Sequence, residues 1–191
     1  MFTSPTIRIY GPTGFIALYP SGSASPTYTW SAPSSGETIS GIALLNPTQQ
    51  GETSIYALEF SLDSSGFAIG GSLSCYPGYP TCVSFGNSSG ETGGIAVAQS
   101  PGGSSPFQWL AVDQYVPGVD IFTQGQPNSQ IVTGGLPEFI TLNSAGDKLY
   151  VADGFREHVV EYSYPGEQLN TFTPGGASVH GVATSPAGTF H

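Results

Sequence analysis

Residues 137–165 read PEFITLNSAGDKLYVADGFREHVVEYSYP, and this stretch displays one structural unit with little distortion. Two short runs, Phe139-Ile140-Thr141-Leu142 and Leu149-Tyr150-Val151-Ala152, flank the turn Asn143-Ser144-Ala145-Gly146-Asp147-Lys148. A third run, Val159-Val160-Glu161-Tyr162, follows the loop from Asp153 to His158. Runs rich in β-branched and aromatic side chains, bounded by Gly, Asn, Asp and Pro, predict a three-strand meander. A fourth run, Gln168-Leu169-Asn170-Thr171-Phe172, comes after Pro165-Gly166, and a new cycle opens at Val179-His180-Gly181-Val182. The unit is therefore four strands long.

Blurred copies of the unit recur along the chain. Taking Ile140 as the marker of the first strand, the counterparts are Ile42, Ile95 and Val182, at successive spacings of 53, 45 and 42 residues. The second strand recurs at Ile55–Glu59, Trp109–Asp113 and Leu149–Asp153, each time ending on an acid. The third recurs at Gly66–Ile69, Gly118–Phe122 and His158–Tyr162. Periods of this size with four strands each are those of propeller blades. Residues 1–41 fit as a unit entered at its second strand, with Ile7–Tyr10, Phe15–Tyr19 and Thr27–Trp30 as strands two to four. Gly181–Ser185 is conversely a first strand with little after it, and joining the ends leaves 51 residues from Val182 round to Ile42. The expectation is one all-β domain over residues 1–191, a β-propeller of four-stranded antiparallel blades, four in number, with the split blade closed by both termini. Ring closure removes exposed sheet edges. The competing expectation is a split blade completed by another copy, which makes self-assembly through that blade a possible property.

Composition narrows the partners. With 3 Lys plus Arg against 13 Asp plus Glu and a formal charge of −10, nothing supplies an electrostatic grip on nucleic acid or anionic lipid. No apolar run approaches the roughly 18 residues of a membrane span. Met1-Phe2-Thr3-Ser4-Pro5 lacks the charged and apolar regions of a signal peptide. The two cysteines stand in Cys75-Tyr76-Pro77-Gly78-Tyr79-Pro80-Thr81-Cys82, where the Pro77-Gly78 turn folds the segment back on itself. A Cys75–Cys82 disulfide is the preferred reading, free thiols in a reducing compartment the alternative, and the disulfide in turn favours a secreted or extracellular protein.

With its unit in view, the chain resembles the NHL-repeat and YVTN-type β-propellers. Their repeat is approximately a G-I-A-V strand, a polar turn containing Gly, an L-Y-V-A-[DN] strand and a V-x-x-Y/F strand. The match is closest at Phe139–Tyr162, fair at Gly94–Phe122 and weaker at Gly41–Ile69. The resemblance implies a propeller fold and a choice of functions: protein or polysaccharide binding, lactonase-like hydrolysis of the gluconolactonase kind, or amidating lyase chemistry. The enzymes among these use metal-binding Glu, Asn, Asp or His residues from several blades at the channel mouth, and a full set of that kind cannot be placed in this sequence.

Three groups of residues carry candidate chemistry. Glu59, Asp113 and Asp153 end the second strands and can form a carboxylate ring for a hard cation such as calcium. The plainer alternative is that each accepts backbone N–H groups of the loop that follows, as strand-end acids do. Ser40, Gly93, Glu138 and His180 precede the first strands and should face one end of the channel. Glu138 and His180 then lie on adjacent blades, where they can act as an acid–base pair or half of a metal site. Loop aromatics such as Trp30, Tyr76, Tyr79, Tyr115 and Tyr164 suit a carbohydrate ligand, though aromatics packed between blades look the same in sequence. Together these features point to a secreted, non-enzymatic binding or structural module at the cell surface, with a protein or carbohydrate ligand and no obligatory cofactor. A metal-dependent lactonase-like hydrolase is the alternative.

Overall fold

The fold is taken from a computed structural model. It describes residues 6–10, 15–19, 23–26, 28–31, 37–45, 54–62, 64–65, 68–76, 84–85, 94–99, 108–114, 118–123, 126–143, 145–163, 166–175 and 179–185; within strands, side chains are described chiefly from residue 94 onward. Every regular element among these residues is a strand: β1 (Thr6–Tyr10), β2 (Phe15–Tyr19), β3 (Tyr28–Ser31), β4 (Glu37–Leu45), β5 (Ser54–Leu62), β6 (Ala68–Tyr76), β7 (Ser84–Phe85), β8 (Ile95–Gln99), β9 (Gln108–Gln114), β10 (Gly118–Thr123), β11 (Gln126–Val132), β12 (Pro137–Leu142), β13 (Lys148–Asp153), β14 (His158–Ser163) and β15 (Glu167–Phe172). They form four antiparallel meanders in chain order: three-stranded β1-β2-β3, then β4-β5-β6-β7, β8-β9-β10-β11 and β12-β13-β14-β15. Ile42, Ile95 and Ile140 each lie in the first strand of a meander, as the repeat marks them.

Local chemistry explains why the last meander is so regular. At the β12–β13 hairpin the Asn143 side chain closes the turn, its Oδ1 accepting from the N–H groups of Asp147 at 3.1 Å and Lys148 at 3.2 Å while its Nδ2 donates to Asp147 at 2.7 Å. Gly146 takes a left-handed φ of 73°, open to glycine without strain. Beyond the turn the register runs Leu142↔Leu149, Ile140↔Val151 and Val151↔Val160. Alternation then divides β13 and β14 into two faces. Leu149, Val151, Val160 and Tyr162 join Val119, Ile121 and Ile131 of the preceding sheet, with Ala96 and Ile140, in one buried cluster. Tyr150, Ala152 and Val159 face the other way, into a second cluster with Val179 and Val182.

The second, third and fourth meanders meet chiefly through their first strands: β4 packs against β8, and both β8 and its neighbour β9 pack against β12. The approach is close at Gly94, where an added methyl group would stand 3.1 Å from the Ile140 backbone nitrogen. A side chain there would push β8 and β12 apart.

Both ends of the described chain depart from the expected regularity. Gly181–Ser185 forms no strand, and only Thr184 makes an isolated bridge. In the first meander β1 is an edge strand, paired only with β2 among the described residues. The expected ladder between Gly181–Ser185 and Ile7–Tyr10 is thus not formed among the described residues. Val179 and Val182 pack in the second cluster, and Thr184 adds its bridge. Cys75 lies near the end of β6, while Cys82 and the Pro77-Gly78 turn lie outside the described residues. Their sulfur atoms lie outside the described residues.

Candidate functional site

The candidate acid–base pair is assembled by a break in strand regularity. Between Pro137 and Phe139 the β12–β13 register shifts, leaving Glu138 as a bulged residue. Bulges re-aim a side chain out of the ladder's alternation, and they concentrate at rims and functional sites. The same shift occurs between Ile39 and Gly41, so Ser40 is bulged at the corresponding point of β4. The Glu138 side chain reaches across to His180, its Oε2 meeting the imidazole Nδ1. Its other oxygen lies over Gly154, where any Cβ would overlap Oε1. Glycine at 154 thereby makes room for the carboxylate. The His180 and Glu138 side chains are 70% and 31% exposed, so water competes for the contact, and the imidazole is held with Nε2 free of this partner. A pair of this kind can pass a proton or fix the tautomer of a ligating imidazole. No third His, Cys, Asp or Glu among the described residues completes a metal group.

Asp153 does different work. It is 1% exposed, and its Oδ1 accepts from the N–H of Leu136 at 3.0 Å and from that of Arg156 at 3.0 Å. Gly154 N–H adds a bond to the Leu136 carbonyl at 3.1 Å. The Arg156 guanidinium returns to the same loop, donating to Thr133 O at 3.2 Å and Gly134 O at 2.8 Å. Asp153 therefore staples the loop before β12 to the loop after β13, the backbone-accepting role of a strand-end acid. Its Oδ2 is buried against Gly135 and, with Thr133 Oγ1, has no hydrogen-bond partner among the described residues. Glu59 and Asp113 end up within β5 and β9, and their side chains lie outside the described residues.

A third polar group carries no sequence motif. Glu161, 3% exposed in the middle of β14, is directly opposite Tyr150 on one side and Asn170 on the other. It receives the Lys148 ammonium at 2.6 Å, Asn170 Nδ2 at 2.6 Å and the Tyr150 hydroxyl at 3.4 Å. Burial pushes the Glu161 carboxyl upward, but the hydrogen bonds from Lys148 and Asn170 outweigh it and hold the group below its ordinary value. Lys148 is raised, first by its hydrogen bond to Glu161 and then by the carboxylate charge. Burial raises the Tyr150 and Tyr162 hydroxyls, with the charge of Glu161 adding to the first and that of Asp153 to the second. An acid inside the apolar run Val159-Val160-Glu161-Tyr162, with Lys148 one diagonal step away across the ladder, was the available signal for this network.

No known family matches the sequence, and no curated protein matches it. Solved structures share the fold, among them proteins from Desulfotomaculum acetoxidans and Kuenenia stuttgartiensis. A functionally unknown protein from Desulfotomaculum acetoxidans DSM 771 is 13% identical with a TM-score of 0.65, over 95% of this chain and 56% of that one. Kuenenia stuttgartiensis hydrazine synthase is 16% identical with a TM-score of 0.52, over 89% of this chain and 43% of that one. The chain spans about half the length of each.

Proposed function

We propose that the chain is a β-propeller of the NHL or YVTN kind, and that it acts as a secreted, non-enzymatic binding or structural module at the cell surface. The observation that carries this reading is the row of first strands, β4 beside β8 beside β12, continued by residues 179–185. Four-stranded units joined through their first strands are how a propeller is assembled. The chemistry of the acids supports the non-enzymatic part, since Asp153 spends Oδ1 on two loop amides. Low charge and the aromatic side chains of the chain suit a protein or carbohydrate ligand, with calcium at Glu59 and Asp113 as an accessory cation.

The Glu138–His180 pair at a bulged rim favours a second reading, the metal-dependent lactonase-like hydrolase. One experiment separates the two. The purified chain is screened against a glycan array and, with added calcium, against lactone and ester substrates. Glycan binding that persists in Glu138→Gln and His180→Ala, with no turnover, is the expected result. Hydrolysis that depends on calcium and disappears in His180→Ala would replace the first reading with the second.

A further inference from the structure

The loop between β13 and β14 holds a large apolar side chain in water on a firm support. Phe155 is 79% exposed, the highest value among the large hydrophobic side chains described. The residues on either side of it are anchored. Gly154 N–H donates to the Leu136 carbonyl at 3.1 Å, and Arg156 N–H donates to Asp153 Oδ1 at 3.0 Å. The Arg156 guanidinium donates to the carbonyls of Thr133 at 3.2 Å and Gly134 at 2.8 Å. A ring presented from a fixed loop loses little freedom on meeting a partner, which is what preorganisation contributes to binding.

Acids border this ring. Glu138 Oε1 lies against Gly154, immediately before Phe155, while His180 meets only the other oxygen, Oε2. Glu157 follows two residues after Phe155, exposed and at a left-handed φ of 56°. The chain has three Lys and Arg residues, and two of them are directed elsewhere: Lys148 at Glu161, and Arg156 at the two loop carbonyls. The rim thus joins an exposed aromatic ring to carboxylates that neither cation faces, in a chain of formal charge −10.

We propose that this rim docks a basic segment of a partner protein, with an arginine side chain laid against the Phe155 ring and paired with Glu138 and Glu157. Charge selects the occupant, because the acidity of the chain attracts a cation and repels the phosphates of nucleic acid. Shape selects the side chain. A guanidinium is planar and weakly hydrated, so it stacks on an aromatic face while its N–H groups reach carboxylates, whereas an ammonium offers only a point charge. The inference rests on the reading of the chain as a binding module and names one partner class for it.

The test measures, by titration calorimetry at low salt, the binding of a capped peptide alternating arginine with glycine, beside its lysine and citrulline counterparts. The arginine peptide should bind most tightly, the lysine peptide more weakly and the citrulline peptide not at all. Phe155→Ala should weaken arginine-peptide binding about tenfold, and Glu138→Gln and Glu157→Gln about threefold each. Phe155 is largely in water, so its replacement leaves the fold intact. Glu167→Gln removes the same charge at the opposite end of the sheet, beyond Ser163 and Lys148, and should leave the affinity unchanged. Equal binding by wild type and Phe155→Ala reduces the effect to net charge and overturns the inference, as does equal binding of the arginine and citrulline peptides. Absence of arginine-peptide binding, with glycan binding that is lost in Phe155→Ala, also overturns it while leaving the binding-module reading in place.

Discussion

At the scale of single residues, Asp153 and Gly135 form a matched pair. The carboxylate is held by the amides of Leu136 and Arg156, and Gly135 lies against it so closely that a methyl group would overlap both oxygens. Asp153→Ala leaves two loop donors without their acceptor and should cost about 1–3 kcal/mol, with Asp153→Asn losing less because one oxygen remains. Gly135→Ala should cost at least as much as Asp153→Ala, since the methyl can be housed only by breaking the staple. Gly154→Ala displaces only the half-exposed end of Glu138 and should cost less than Gly135→Ala. Urea denaturation of the four variants checks the order. The role of Asp153 was legible as an acid at a strand end, a position where backbone N–H groups of the next loop are near. The contact of Glu138 with His180 was legible only as equal position in successive units, since closeness depends on how two units lie beside each other.

At the scale of strands, Glu161 shows how one sheet face departs from its counterpart. Val119 and Ile121 stand in β10 where Val159 and Glu161 stand in β14, and both residues of the first pair are fully buried against the next sheet. Replacing an apolar Ile by an acid at the corresponding position is tolerable because Lys148, Asn170 and Tyr150 converge on it. Glu161→Gln keeps hydrogen-bonding capacity and loses the ion pair, so a loss of about 1 kcal/mol is expected at neutral pH. The sign of the pH dependence follows from the lowered carboxyl. A group whose folded value lies below its ordinary 4.5 stabilises the fold above that pH, and the contribution fades as pH falls further. Lys148, raised above 10.5, supports the fold below that value and loses its effect as pH rises beyond it. The stability gap between wild type and Glu161→Gln should therefore be level between about pH 5 and 10 and narrow below pH 4, as read from urea midpoints across pH. A gap that widens in acid would refute the assignment.

Across the whole molecule, the join between sheets rests on the cluster of Val119, Ile121 and Ile131 with Leu149, Val151, Val160 and Tyr162. Ile121 is 0% exposed, so Ile121→Ala should leave a cavity between two sheets and cost about 2–5 kcal/mol. Val132, one residue from Ile131 but 73% exposed, should change stability by no more than about 0.5 kcal/mol when replaced by Ala. Both are measurable from denaturant midpoints. The sequence by itself determined the all-β class, the four-strand unit, the turn at Asn143 and the first-strand positions of Ile42, Ile95 and Ile140. These follow from local alternation and turn chemistry, which neighbours in sequence decide. Three features were decided only in the tertiary structure: the bulge that turns Glu138 toward His180, the burial of Glu161 among three donors, and the seating of residues 179–185 by side chains without a ladder. The first and third depend on how residues 179–185 lie against the last sheet, and the second on cross-strand neighbours within that sheet. The residues that meet there are 9 to 42 positions apart, and alternation within one strand carries no information about them.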